Sequence, residues 1–193
     1  MTTTPSPRDR LLAAATAHVA AHGFHDLSLR ELAAAIGTSH RMLLYHFGSK
    51  EELFVEIVRA FEAQQRQIMT EFIAGADEPA TDLMRRVWKQ VSAPAATDQV
   101  RLFFQVYGQA LDGGEAMAEA LDGIVTDWLA PMVALEKERG TATKHTKAEV
   151  RLGVAVMRGL LLDLLATGDR RGVNAAFERF IAAMETITAA DQT

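Results

Sequence analysis

Residues 28–52, with the sequence SLRELAAAIGTSHRMLLYHFGSKEE, predict two short helices joined by a tight turn and a third helix directly after them. Ser28 and Glu31 form a capping-box pattern, in which each side chain accepts a hydrogen bond from a backbone N–H left unpaired by the first helical turn. The first helix therefore begins after Ser28. Gly37 ends it, because glycine adopts the positive φ that the residue after a helix often requires. The apolar face of this helix consists of Leu29, Leu32, Ala33 and Ile36.

The second helix of this stretch begins after Ser39, a favoured N-cap residue, and extends to Phe47. Gly48 ends it. Ser49 and Glu52 then form another capping-box pattern. They open a long amphipathic helix whose apolar positions are Leu53, Phe54, Ile57, Val58 and Phe61.

Two short helices around a glycine-containing turn match the helix-turn-helix motif, whose second helix enters the DNA major groove. The second helix here offers His40, Arg41, Tyr45 and His46, and Lys50 follows at the next helix N-terminus. The alternative is that these are ordinary solvated side chains on a short helix. DNA binding is favoured because the donors lie on one side and the neighbouring helices share an apolar core.

The segment from Gly37 to Phe47, together with residues 49–53, resembles the signature of the TetR family of bacterial transcriptional regulators. Upstream, the segment from Arg8 to Phe24 resembles the first helix of that family. The resemblance in detail covers about the first quarter of the chain, and the rest fits in length and helical pattern. It implies an all-α fold of about nine helices, with a three-helix DNA-binding domain over residues 6–52 (motif 29–48). A ligand-binding and dimerisation domain would follow over residues 53–193.

The resemblance also implies roles for individual positions. Residues at positions where family members contact phosphates are Ser28, Thr38, Tyr45, His46 and Lys50. Residues in the base-reading segment are Ser39, His40, Arg41 and Met42.

Two positions depart from the family pattern. Leu44 stands where the family usually has tyrosine, so the phosphate contact expected there passes to Tyr45. Arg41 replaces what is often a small residue. An arginine facing the groove can pair with guanine O6 and N7, which contributes about 1–3 kcal/mol of discrimination. We therefore expect a guanine in each operator half-site.

Composition agrees with a globular protein that has a substantial core, because 49% of the 193 residues are hydrophobic. The chain contains no cysteine and therefore no disulfide framework, and no run of 18 consecutive apolar residues occurs. We expect a cytoplasmic protein that neither crosses a membrane nor is secreted.

Charge is distributed unevenly along the chain. The net charge of −5 argues against a general nucleic-acid coat protein. Residues 1–50, however, hold five basic and three acidic side chains, a net +2, whereas the remainder holds 15 basic and 22 acidic side chains, a net −7. With so few basic groups, we expect a weak, salt-sensitive phosphate contribution that dimerisation supplements.

Outside residues 28–52 the pattern predicts helices and no strands. Ser6 and Pro7 open the first helix, which ends at Gly23. Thr146 and Glu149 suggest a further capping box. The remaining predicted helices span approximately residues 49–73, 80–91, 98–111, 115–138, 147–167 and 171–189, with a bend at Pro131.

The last two helices are the predicted dimer surface. The helix from about 147 to 167 is apolar nearly all round, and an intrachain core would cover only one of its two stripes. A TetR-like arrangement implies a four-helix bundle made by two subunits of a homodimer. The predicted interface residues are Val154, Met157, Leu161, Leu165, Phe177, Phe180, Ile181 and Met184.

The middle helices have the composition of a ligand-pocket lining, because aromatic residues and methionine make adaptable apolar walls. The alternative is ordinary core filling, which such stripes more often represent. Asp163, which interrupts an apolar run, needs a partner if it is buried. The candidate pocket residues are Trp88, Phe103, Phe104, Tyr107, Met117, Trp128 and Met132.

Enzymatic readings find little support. His18 and His22 lie four residues apart, but the intervening glutamate of a zincin is missing and no acidic third ligand is well placed. No glycine-rich phosphate loop, Gly-x-Ser-x-Gly motif or catalytic carboxylate pair occurs. We therefore expect no enzyme activity, cofactor or bound metal.

The favoured hypothesis is a ligand-responsive repressor, with an activator as a variant. The alternative is a helical small-molecule carrier or enzyme that retains the motif only as structure.

Overall fold

A computed structural model describes residues 5–23, 27–112 and 126–191 of the chain. These residues form nine α-helices and one short 3-10 turn, Pro94–Ala96, and no strands, so the predicted all-α class is confirmed. None of the helices in the described ranges is both long and apolar enough to cross a membrane. The helices are α1 (Pro7–His22), α2 (Leu29–Ala35), α3 (His40–Phe47), α4 (Lys50–Ile73), α5 (Ala80–Val91), α6 (Thr97–Asp112), α7 (Thr126–Glu138), α8 (Thr146–Thr167) and α9 (Arg170–Asp191).

Local sequence signals set most helix boundaries. The capping boxes predicted at Ser28 and Ser49 are formed, and in the second the Ser49 N–H donates to the Glu52 carboxylate over 3.0 Å. The predicted cap at Ser6 is also a capping box, formed with Asp9. Pro131 lies inside α7. The N-terminal part of the predicted helix 115–138 lies outside the described residues.

The capping box predicted at Thr146 is wrong. His145 is the N-cap of α8 and makes no side-chain cap hydrogen bond. Thr146 is already helical, and its hydroxyl accepts a hydrogen bond from the backbone N–H of Thr143 over 2.8 Å. The preceding turn therefore uses the hydroxyl that the pattern assigned to the helix.

The chain divides into two compact units. Unit 1 comprises residues 1–69 and 102–125, and unit 2 comprises residues 70–101 and 126–193. The predicted functional boundary after residue 52 stays a prediction. In unit 1, side chains from α1 to α4 and α6 meet in one apolar core, and those with at most 1% exposure are Ala15, Val19, Leu32, Leu43, Leu53, Ile57, Val58 and Val106.

Unit 2 is organised around an aromatic pair. Trp88 on α5 stacks on Phe177 on α9, with ring centroids 4.8 Å apart and planes inclined by 13°. The indole Nε1–H donates to the Asn174 Oδ1 over 2.9 Å, so the one polar atom of this buried ring is satisfied. Phe177 is 1% exposed. This contact attaches α5 to α9, while α8 packs against α7 and α9.

An ion-pair network joins the same two helices at the surface. The Arg85 guanidinium donates to Glu178 over 3.2 Å and to Glu185 over 3.0 Å, and also to Asp82. The hydrogen bonds that the guanidinium donates to Glu178 and, with a smaller effect, to Glu185 raise the pKa of Arg85. Because these groups are largely exposed, the network fixes geometry more than it adds stability.

Leu43 and Met42 allow a stability test of the buried face of α3. Leu43 is 1% exposed and Met42 is 41% exposed. We expect Leu43→Ala to lower the free energy of unfolding by about 2–5 kcal/mol, because it leaves a cavity in the core. Met42→Ala should cost less than about 1 kcal/mol. Urea titration followed by circular dichroism measures both, and equal losses would contradict the orientation of α3.

Candidate nucleic-acid interface and ligand cavity

Helices α2 and α3 are joined by a four-residue turn. The N–H of Thr38 donates to the Ala33 carbonyl over 2.8 Å, and Gly37 has a φ of 71°. Ser39 then caps α3, accepting a hydrogen bond from the Met42 N–H over 3.2 Å. The predicted helix-turn-helix therefore forms with the predicted turn chemistry.

The two faces of α3 differ sharply in exposure. Leu43 and Phe47 lie in the core of unit 1, at 1% and 5% exposure. The opposite face leaves Tyr45 78% exposed. The four residues of the predicted base-reading segment are all exposed: Ser39, His40, Arg41 and Met42.

The residues predicted to contact phosphates are more varied. Ser28, Tyr45 and Lys50 are exposed, whereas Thr38 and His46 are half-buried. The His46 ring lies edge-on to Tyr45, with centroids 5.0 Å apart. Lys50 places its ammonium 5.1 Å from the centroid of the Phe54 ring. All five therefore retain some accessible surface.

Leu44 is half-buried and packs against the core of unit 1. A tyrosine expected at this position by the family pattern would present a hydroxyl, which leucine lacks. Its neighbour Tyr45 is the exposed phenol of this helix. The substitution is therefore consistent with the predicted transfer of the contact to Tyr45.

Gly48 is required between α3 and α4 for two reasons. Its φ of 80° lies in the region that L side chains rarely adopt. A Cβ there would also lie 2.1 Å from Glu52 Oε2, the atom that accepts the cap hydrogen bond from Ser49. Glycine therefore allows the tight turn that brings Lys50 to the start of α4 directly after α3.

Arg8 on α1 holds the C-terminal end of α3, a role that the sequence did not reveal. Its guanidinium lies 5.0 Å from the centroid of the Phe47 ring, and its Nε–H donates to the His46 carbonyl over 3.3 Å. A second nitrogen forms an ion pair with Glu56 on α4. Arg8 thus connects three helices. No local pattern indicates this, because its partners lie 38 and 48 residues away.

The cap of α2 carries an electrostatic signature. The Ser28 N–H donates to Glu31 Oε2 over 2.9 Å, and the Glu31 N–H donates to Ser28 Oγ over 3.2 Å. Hydrogen bonding to Ser28 lowers the pKa of the Glu31 carboxyl below its usual range, and the positive charge of Lys50 adds to the effect. The carboxylate is thus favoured at the helix N-terminus.

Unit 2 contains a cavity of about 540 Å³, within the usual range for small-molecule sites. Its walls come from the end of α4, from α5, α7, α8 and α9, and from the turn before α8. Met132 is the predicted pocket residue that lines it. The lining also includes Met84, Met157 and Met184, which the prediction of the pocket did not include.

The other predicted pocket residues lie elsewhere. Trp88 fills the core of unit 2 through its stack on Phe177. Trp128 is half-buried, with the Arg158 guanidinium 5.8 Å from its ring centroid. Met117 lies outside the described residues. Three belong to unit 1 and are half-buried: Phe103, Phe104 and Tyr107.

The predicted dimer residues largely face inward. Within a single chain, α8 packs against α7 and α9, and this packing occupies one apolar stripe. The residues buried this way are Val154, Met157, Phe177, Ile181 and Met184. Leu161, Leu165 and Phe180 are half-buried. The large apolar side chains that the described parts of α8 and α9 leave exposed are Leu152, Leu162 and Ile187.

Three further residues singled out by the sequence have simple placements. The His18 and His22 rings stack with centroids 4.3 Å apart, and His22 Nδ1 lies 2.9 Å from the His18 carbonyl. Asp163 is exposed, so its carboxylate does not require the buried partner that the apolar run suggested. Its backbone carbonyl accepts a hydrogen bond from Thr167.

Sequence comparison identifies the N-terminal segment. Residues 11–57 match the sequence model of bacterial regulatory proteins of the tetR family. The chain is also similar to the HTH-type transcriptional repressor AcnR of Corynebacterium glutamicum, with 33% identity over 64 residues. That alignment covers 33% of this chain and 34% of AcnR, so it spans about a third of the relative.

Structural comparison covers nearly the whole chain. A transcriptional regulator from Rhodococcus sp. Rha1 matches with a TM-score of 0.70 and 19% identity, over 92% of this chain and 95% of that chain. A protein from Saccharomonospora viridis, described as a transcriptional regulator and solved in complex with choline, matches with a TM-score of 0.68 and 19% identity. That match covers 91% of this chain and 95% of the Saccharomonospora viridis chain. These likenesses show a shared fold.

The Ser28 cap generates a titration test. Because the folded-state pKa of Glu31 is lowered, its stabilising contribution is present above the unfolded-state pKa and is lost as pH falls through the lowered value. We expect Ser28→Ala to raise the pKa of Glu31 towards its usual range and to reduce this contribution, because it removes the side-chain hydrogen bond and leaves the backbone N–H of residue 28 in place. Side-chain NMR titration measures the shift. Ser39→Ala, which removes another serine cap, should leave the pKa of Glu31 unchanged; an equal shift would contradict this cause.

Proposed function

We propose that this chain, which belongs to the TetR family of bacterial regulatory proteins, is a cytoplasmic, ligand-responsive transcriptional repressor that binds a near-palindromic operator as a homodimer. One observation carries the proposal. The face of α3 opposite the buried Leu43 and Phe47 leaves Arg41, Met42 and Tyr45 exposed together on the second helix of a helix-turn-helix, and His40 is exposed in the first turn of that helix.

The proposed contacts to DNA are of two kinds, contacts to bases and contacts to phosphates. Arg41 carries the planar fork that pairs with guanine in the major groove, and we assign it the reading of one guanine in each half-site. Ser39, His40 and Met42 belong to the same base-reading segment. The proposed phosphate contacts are Ser28, Thr38, Tyr45, His46 and Lys50, which would set register and orientation without specifying sequence.

The direction of regulation is proposed as repression. AcnR, with which the chain shares an aligned segment, is described as a repressor. A dimer seated on an operator within a promoter represses by occupying it. An activator would bind the same kind of site, so a promoter–reporter assay with and without the protein distinguishes the two.

Homodimerisation is supported by the apolar surface of α8 and α9. Leu152 and Leu162 are 45% and 52% exposed, and Ile187 is 44% exposed. Together with the half-buried Leu161, Leu165 and Phe180, they form the surface that we assign to the partner subunit. Two-fold symmetry would place two copies of α3 about 34–36 Å apart or a multiple of this distance.

The cavity of unit 2 supports an effector site. Its volume of about 540 Å³ suits a small organic molecule. The structural neighbour from Saccharomonospora viridis was solved in complex with choline. Helix α4 contributes residues to both units and is the proposed connector. An effector that changes operator affinity must bind the two states with different affinity, typically by about 1–3 kcal/mol.

Arg41 provides the test of DNA recognition. We expect the unmodified protein to bind specifically, and in a salt-dependent way, to DNA from the promoter region of its own gene. Fluorescence-anisotropy titration measures this binding. Arg41→Ala should lower the affinity for the preferred site about 10-fold or more and relax the preference for guanine.

Arg179→Ala removes the same charge from an exposed position on α9 and serves as the control. If Arg41→Ala lowers the affinity for all DNA sequences equally, Arg41 contacts only phosphate and does not read a base. Absence of specific binding by the unmodified protein would leave the alternative, a carrier or enzyme that retains the motif as structure.

Leu162 provides the test of the dimer. Leu162→Glu places a charge within the apolar surface of α8, and we expect it to shift the protein from dimer to monomer at micromolar concentration. Ile68→Glu changes an apolar side chain of similar exposure, 48%, on α4 and should leave the dimer intact. Sedimentation velocity measures both, and a monomeric unmodified protein would refute the proposal.

A further inference from the structure

The cavity of unit 2 has walls that suit an apolar body of variable shape. Four methionines, Met84, Met132, Met157 and Met184, contribute to its lining, and most of the other lining side chains are aliphatic. Methionine is flexible and polarisable, so such walls adapt to guests of different outline. At Gly153 an added Cβ would lie 2.8 Å from Met84 Cε, so this glycine makes room for one of these side chains.

The charge of the lining has one sign. Glu136 from α7 and Glu149 from α8 are its two ionisable side chains, and among the described residues that line the cavity there is no lysine, arginine or histidine. The neutral polar groups are four threonine hydroxyls and backbone atoms. A carboxylate facing an apolar cavity favours a guest of positive charge.

The two carboxylates are not equivalent. Glu136 Oε2 accepts a hydrogen bond from the Thr141 hydroxyl over 2.6 Å, and Oε1 lies 3.6 Å from an Arg139 nitrogen. Its charge is therefore already compensated. The Glu149 carboxylate has no hydrogen-bond or ion-pair partner in the part of the chain that the structure describes. The failure of the predicted cap at Thr146 is one reason for this, because Glu149 is not used at the helix N-terminus.

We propose that this cavity binds a small organic cation with an apolar body, and that the carboxylate of Glu149 is its counter-charge. The inference rests on the proposed effector site and names the chemical class of the effector. The apolar part would lie against the methionines and the cationic centre against Glu149. Binding would then neutralise a carboxylate on the wall of the cavity.

Other occupants fit the lining less well. A metal ion requires several ligands, and no group of three or more histidine, cysteine or acidic side chains suited to one occurs in the described ranges. A small, strongly hydrated cation would lose its water against methionine and aliphatic walls without replacement. An anion would meet two carboxylates and no basic side chain in the described lining.

The test uses two probes of nearly equal size and opposite charge, tetraphenylphosphonium and tetraphenylborate. Isothermal titration calorimetry of the full chain without DNA, in sodium buffer, gives both affinities. We expect the cation to bind at least about 10-fold more tightly than the anion. Glu149→Gln keeps the shape of the side chain and removes its charge. It should weaken binding of the cation about 10-fold or more and leave binding of the anion equal or stronger.

Glu138→Gln is the matched control, because Glu138 is an exposed glutamate of α7 outside the lining. It should leave both affinities unchanged. Circular dichroism checks that Glu149→Gln is folded, and Glu149→Asp, which retains the charge, should bind the cation more tightly than Glu149→Gln.

Equal affinities, preference for the anion, no binding of either probe, or equal effects of Glu149→Gln and Glu138→Gln would each overturn the inference. DNA binding measured in parallel separates the two proposals. A protein that prefers the cation but does not bind DNA would refute the proposed regulator and leave the site intact. A protein that binds DNA without this preference would refute the site alone.

Discussion

Burial of Leu43 and Phe47 in the core of unit 1 is the interaction on which the proposed DNA-reading surface depends. A helix of eight residues is too short to be stable alone, so its orientation comes from tertiary packing. Because these two side chains enter the core formed with α1, α2 and α4, the opposite side of α3 must face solvent. The exposed positions of Arg41, Met42 and Tyr45 follow from this geometry. Without this packing, the orientation of α3 relative to the rest of unit 1 would not be fixed.

Two further contacts determine how α3 ends. Gly48 allows the reversal into α4, and Arg8 holds the last turn of α3 through the Phe47 ring, the His46 carbonyl and the ion pair with Glu56. Arg8 and Glu56 remain partly exposed, so their pairing is expected to add little free energy of unfolding. Its value is geometric, since it fixes three helices at the point where Tyr45 and Lys50 emerge. A bound operator would therefore contact a surface already ordered in the free protein.

Unit 2 shows how similar side chains acquire different roles. Trp88 satisfies its single donor with Asn174 and fills the core beside Phe177, whereas the methionines surround a cavity. Composition ranked the aromatic residues and Met132 together, because all of them suit an apolar wall. The structure separates them through packing between helices distant in sequence. Glu136 and Glu149 are likewise equal as residue types, and the partners of Glu136 make the difference between them.

The sequence alone predicted the helices, most of their caps and turns, and the helix-turn-helix, and residues 11–57 match the sequence model of bacterial regulatory proteins of the tetR family. These depend on interactions within a few residues, such as the Ser28–Glu31 cap and the glycines after α2 and α3. Thr146 shows the limit of this reasoning, because two local hydrogen bonds competed for one hydroxyl. Only the tertiary structure decided which stripe of α8 is buried within the chain, which residues line the cavity, and that Arg8 contacts α3. The reason is that each depends on packing between segments separated by tens of residues, which periodicity along one helix does not encode.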